Sequence, residues 1–82
     1  MNDNRSDPDV FVPDSVVWKE LGITRQSLWR RTLKRENRFP PPIKIEGKNY
    51  RSRRALEAWK AEQVRLAEER QRQMWEQADT AA

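Results

Sequence analysis

Three consecutive prolines, Pro40, Pro41 and Pro42, constrain this chain more than any other stretch. Each ring fixes φ at about −65° and removes a backbone donor, so no helix can pass through them. Phe39, immediately before them, is pushed toward extended geometry. The segment reads as a stiff polyproline II connector, with Phe39 as an anchor into the core. It is wedged between two structural elements, which makes display to a proline-recognition domain the weaker reading.

Before the prolines, Gly22 to Arg35 combines a turn, a helix start and a basic helix. Thr24 suits an N-cap, because its hydroxyl can accept a free backbone N–H of the first turn. The spacing predicts a helix from Arg25 to about Arg35. Steps of about 100° place Leu28, Trp29, Thr32 and Leu33 on one arc, and Ser27, Arg30, Arg31 and Lys34 on the other. A solvated surface helix would intersperse acids, and this one has none. Upstream, Phe11-Val12-Pro13-Asp14 reads as the entry to a first helix, about Ser15 to Leu21, with Asp14 a candidate N-cap and Val12 a staple. That helix packs through Val16, Val17 and Leu21, and Gly22 ends it in a left-handed cap. Two short helices joined by a turn of this kind make a helix-turn-helix, whose second helix enters a major groove.

Charge points the same way. The net +4 is unevenly spread: residues 1–14 carry −3, residues 55–82 carry −2, and residues 15–54 hold twelve basic and three acidic groups, or +9. Such a segment is the footprint of a polyanion binder, with nucleic acid the commonest partner. The chain has 82 residues and neither Cys nor His, which removes thiolate and imidazole chemistry and leaves little room for a substrate pocket. An enzyme is the weakest candidate: the carboxylates are scattered, and no cofactor, metal or small-molecule substrate is expected. No apolar run suits a membrane span, and the polar N-terminus is unlike a signal peptide. The expected location is cytoplasmic, on the nucleoid.

After the prolines, Ile43-Lys44-Ile45-Glu46 alternates, which suits a strand with Ile43 and Ile45 inward; Gly47-Lys48 is a two-residue turn and Asn49-Tyr50-Arg51 the return strand. The outward groups of this wing are Lys44, Lys48, Asn49 and Arg51. Removing Lys48 or Arg51 is expected to lower DNA affinity without changing stability. Ser52 can cap a third helix that starts at Arg53, buries Leu56 and Trp59, and runs unbroken to about Glu76. Pairs Arg65–Glu69 and Glu68–Arg72 support its exposed second half. Trp29 and Trp59 read as core; Trp18 and Trp75 read as exposed, and with Met74 as candidate protein contacts.

These residues carry a resemblance. Gly-Ile-Thr-Arg-Gln-Ser-Leu-Trp-Arg, then Arg38-Phe39-Pro40-Pro41-Pro42-Ile43-Lys44-Ile45, then Gly47-Lys48-Asn49-Tyr50-Arg51 and Leu56-Glu57-Ala58-Trp59 resemble the AlpA-type phage regulators and the excisionases, over about residues 11–62. In this chain Trp29 stands where Tyr is more usual, and the third helix runs long. The resemblance implies a MerR-like winged helix-turn-helix, with a recognition helix in the major groove, a wing on the backbone or minor groove, and side-by-side binding that bends DNA.

The expected fold is thus mainly α with a small β-hairpin wing: a winged helix-turn-helix with a long C-terminal helix. Residues 1–10 form a disordered acidic arm, 11–62 the DNA-binding domain, and 63–82 the projecting helix end and frayed tail. The expected function is sequence-specific double-stranded DNA binding for a mobile element, as excisionase or as transcriptional regulator. Major-groove contacts are assigned to Arg25, Gln26, Ser27, Arg30, Arg31 and Lys34, and backbone contacts to Thr24, Arg53 and Arg54. Expected partners are DNA, further copies on adjacent sites, and an integrase. The alternatives are a protein-interaction adaptor using the long helix, and a small DNA-packaging subunit.

Overall fold

The computed structural model describes residues 9–81. It is mainly helical, with a small three-stranded antiparallel sheet and a long C-terminal helix. The order is β1 (Phe11–Pro13), α1 (Asp14–Leu21), α2 (Arg25–Leu33), a single 3-10 turn (Arg35–Asn37), β2 (Ile43–Ile45), β3 (Lys48–Ser52) and α3 (Arg53–Ala81). Most of the expected arm, residues 1–8, lies outside the described residues; Asp9 and Val10 are ordered. Asp9 accepts the Arg54 N–H at 2.9 Å and the Ser52 hydroxyl, and the Val10 carbonyl accepts the Arg53 N–H at 2.7 Å.

Local chemistry sets the helix ends. Gly22 closes α1 at φ 70°, ψ 32°, in the left-handed region that glycine enters without a Cβ penalty. Thr24 caps α2, its Oγ1 accepting the Ser27 N–H at 3.1 Å, and Ser52 caps α3 by accepting the Ala55 N–H at 3.0 Å. Asp14 is not the cap of α1. It is the first helical residue, Pro13 holds the cap position, and the carboxylate is turned to Arg51 instead.

Phe11-Val12-Pro13, expected as a helix entry, is a strand that pairs with β3, so the sheet order is β1-β3-β2. The hairpin turn also lies one residue earlier than expected. Glu46 (φ 50°) and Gly47 (φ 81°) form it, both with the positive φ of a type I′ turn, and Ile45 pairs with Lys48. Side chains alternate along a strand, so Lys44, Asn49 and Arg51 share one face of the hairpin and Ile43, Ile45, Lys48 and Tyr50 the other, and pairing with β1 sets which of the two meets the core. Val12 and Arg51, directly opposite each other, face the core, while Ile43, Ile45 and Tyr50 occupy the other face. The expectation that Ile43 and Ile45 point inward and Arg51 outward is therefore reversed.

The core is Val12, Val17, Leu28, Phe39 and Leu56, with Trp18, Leu21, Ile23 and Trp59 packed around it. Phe39 and Trp59 meet edge to face at 4.9 Å between centroids, and the Trp59 Nε1–H donates to the Asn37 carbonyl at 2.9 Å. So small a core accepts only a narrow stripe from each helix. Val16, Trp29 and Leu33, expected to pack, are exposed. Trp18, expected to be exposed, is half-buried against the core.

The 29 residues of α3 would extend about 43 Å at 1.5 Å per residue. Its first turns are tied to α1 through Glu20, which accepts from Arg53 at 2.9 and 3.1 Å and from Lys60 at 2.7 Å. Beyond Trp59 nearly every residue is exposed, and its ion pairs are internal to the helix. They include Glu62–Arg65 and Glu69–Arg72, three residues apart where four were expected, each with the acid nearer the helix N-terminus, the favourable sense for the macrodipole.

The Arg53 and Lys60 hydrogen bonds hold the Glu20 carboxyl at about 2 instead of 4.5. Its stabilisation is therefore complete above pH 4.5 and is lost as pH falls from 4.5 toward 2. Solvent screening limits the contribution to about 1 kcal/mol. Thermal melts should show Glu20→Gln less stable than the parent at pH 7, the two converging near pH 2. A constant difference across that range would mean that another group carries the linkage.

Candidate nucleic-acid interface

The placement of α2 follows from what it buries. Leu28 is fully buried, and the Thr32 hydroxyl donates to the Leu28 carbonyl at 3.0 Å while accepting from Arg51 Nη1 at 3.0 Å. With Leu28 inward, steps of about 100° put Gln26, Arg30 and Leu33 on the outer crest. Arg25 and Trp29 fall on the flank nearer the hairpin, and Ser27, Arg31 and Lys34 on the opposite flank.

A depression follows each flank. On the hairpin side a groove of about 900 Å³ runs between α1, α2 and the β2–β3 tip, bringing Arg25, Gln26, Trp29 and Arg30 together with Lys48 and Asn49. Trp18 forms part of its floor. On the other side a cleft of about 290 Å³ joins Ser27, Arg30, Arg31 and Lys34 to Asn37. Arg31 Nε is buried there without a hydrogen-bond partner among the described residues. Arg30 borders both.

The two sets of cations differ in how they are neutralised. Among the described residues, Arg25, Arg30, Arg31, Lys34, Lys44 and Lys48 form no ion pair, whereas Arg51, Arg53, Lys60, Arg65 and Arg72 all do. Lys19, Arg35, Arg38 and Arg70 form none either, but six such cations are gathered on α2 and the hairpin. Two basic flanks about one helix diameter apart suit a polyanion with two parallel walls, and the polar crest between them can reach what lies at its floor.

Several expected contacts fall elsewhere. Arg51 is removed from the surface altogether, at 0% exposure, because its face of β3, shared with Val12 on β1, is turned inward, where it meets Asp14. Arg53 is held by Glu20 and Glu57, and Arg54, the second residue of α3, donates its backbone N–H to Asp9; neither lines the groove or the cleft. The Thr24 hydroxyl is engaged as the α2 cap. Lys44 is exposed, and its cross-strand partner Asn49 is half-buried at the groove. Met74 and Trp75 stand far out on α3, both exposed.

Sequence reasoning missed Trp29 and Leu33 as surface residues of α2, at 51% and 62% exposure. The helical wheel held a partial signal, since Trp29 lies at the margin of the stripe centred on Leu28 and Leu33 well beyond it. Asn37, reached through the 3-10 turn, carried no signal. Among the described residues no cluster of Asp or Glu could hold a metal ion, and no helix is long and apolar enough to cross a membrane. No family model, curated protein or solved structure matches the chain.

Proposed function

We propose that this chain is a sequence-specific double-stranded DNA-binding protein with winged helix-turn-helix architecture. In this reading α2 lies in the major groove and the hairpin rests on the backbone or in the adjacent minor groove. The observation that carries it is the pair of basic depressions flanking α2, whose cations form no ion pair among the described residues. A helix in a major groove is walled by two phosphate strands, and both flanks of α2 are supplied for that contact. Gln26 and Arg30, on the crest, are the base readers; Arg25, Arg31, Lys34 and Lys48 position the duplex.

The resemblance to AlpA-type regulators and excisionases extends the proposal to a role for a mobile element, in recombination or transcription on nucleoid DNA. Copies bound at adjacent sites would touch through Met74 and Trp75, the exposed apolar groups of the projecting helix; the same surface could instead receive an integrase.

The test is selection of bound duplexes from a random library, followed by gel-shift titration of the selected site against random DNA at a fixed salt concentration. A selected site bound at least tenfold more tightly than random DNA is expected. Equal binding would overturn the reading. Arg30→Ala should cost about 1–3 kcal/mol on the selected site alone. Lys48→Ala should weaken selected and random DNA alike, since phosphate contacts carry no sequence information.

A further inference from the structure

The outer surface of α2 is not uniformly polar. Trp29 and Leu33, one helical turn apart, form an exposed apolar strip between the crest and the hairpin-side flank. We infer that this strip reads the 5-methyl groups of thymine, making Trp29 and Leu33 specificity-determining residues of the interface. The inference rests on the DNA-binding reading above and adds the base feature recognised.

Charge complementarity selects the occupant. The strip is bordered by Arg25 and Arg30 on its own helix and faces Lys48 across the groove, none of them ion-paired among the described residues. A surface that covers Trp29 must therefore be anionic around its edge and apolar where it meets the indole. The major groove has that combination: phosphates form its walls, and the thymine 5-methyl is the apolar group its base edges display. Gln26 and Arg30 beside the strip supply hydrogen bonds to neighbouring base edges, so polar and apolar readers share one helix face. An indole confined to the core could not take part, and half of Trp29 lies outside it.

The experiment uses the full chain and the selected duplex, with deoxyuridine replacing thymidine one position at a time. Deoxyuridine pairs identically and lacks only the methyl group. At one or two positions the replacement should weaken binding by about fourfold, the value of one buried methyl. Trp29→Ala or Leu33→Ala, assayed well below the melting temperature of each variant, should bind the thymidine duplex less tightly and lose the thymidine-over-deoxyuridine preference at those positions. Parent protein indifferent to deoxyuridine everywhere would overturn the inference while leaving DNA binding intact. Variants that lose affinity equally for both duplexes and keep the preference would also overturn it, assigning the strip to the sugar–phosphate wall. Failure to select any site would instead bring down the DNA-binding reading, and this inference with it.

Discussion

Arg51→Ala should unfold the domain or bring it close to unfolding. The Arg51 guanidinium donates to both Asp14 carboxylate oxygens at 2.8 and 3.1 Å, to the Thr32 hydroxyl at 3.0 Å and to the Pro40 carbonyl at 2.8 Å. It also lies 5.4 Å from the centroid of the Phe39 ring. Truncation would leave the Pro40 carbonyl without this donor and Asp14, only 18% exposed, without its counter-charge. Breaking a buried pair from one side costs about 3–5 kcal/mol, against a total of about 5–15 kcal/mol for a typical domain. Urea denaturation should show the midpoint falling accordingly, with Arg51→Lys recovering only part because an ammonium cannot reproduce the two-pronged contact. A loss of stability of less than about 1 kcal/mol would show that the surrounding groups find other partners. A wing residue on the outward face would have given that small effect, so this one measurement shows which face of the hairpin meets the core.

The second large effect concerns salt. Six cations on α2 and the hairpin, Arg25, Arg30, Arg31, Lys34, Lys44 and Lys48, make no ion pair among the described residues. If each neutralises one phosphate, counterion release gives log K against log[salt] a slope of about −5, or about a thousandfold loss of affinity between about 50 and 200 mM salt. Each alanine replacement among the six should reduce the slope by about one. Arg53→Ala should leave the slope near its parent value, because that guanidinium is already paired with Glu20 and Glu57. A parent slope near zero would remove the electrostatic basis of the proposed function.

Legibility in the sequence followed the range of the interactions involved. The Gly22 and Thr24 boundaries and the Ser52 cap depend on neighbours within three or four residues, and the residue types alone revealed them. Leu28, Phe39 and Leu56 were also readable as core, because each is apolar at a position where periodicity or the prolines direct it inward. The sheet was less accessible. β1 is stabilised by β3, about forty residues away, and no local pattern marks Phe11-Val12-Pro13 as a strand. The turn was misplaced by one residue because Glu46 enters the left-handed region, where Asn or Asp is more usual. The unrecognised β1 is what concealed the role of Arg51, because Val12, directly opposite it, marks the face that meets the core. Trp29 was misread for a different reason: a wheel gives the direction of a side chain but not the depth of the layer behind it. A core with five buried hydrophobic residues is too shallow to cover an indole at its edge.

The Arg51 contacts also govern the order in which a growing chain can fold. Asp14 on α1, Thr32 on α2 and the Pro40 carbonyl all leave the ribosome before the cation that joins them, and β1 must wait for the β3 strand it pairs with. At about 5–20 residues per second, α1 and α2 spend a few seconds in nascent chains that lack the cation joining them. Any truncation ending before Arg51 therefore retains the entire basic helix without the means to hold it, and ribosome-stalled chains of increasing length should become protease-resistant in one step, once β3 and the first turns of α3 have emerged.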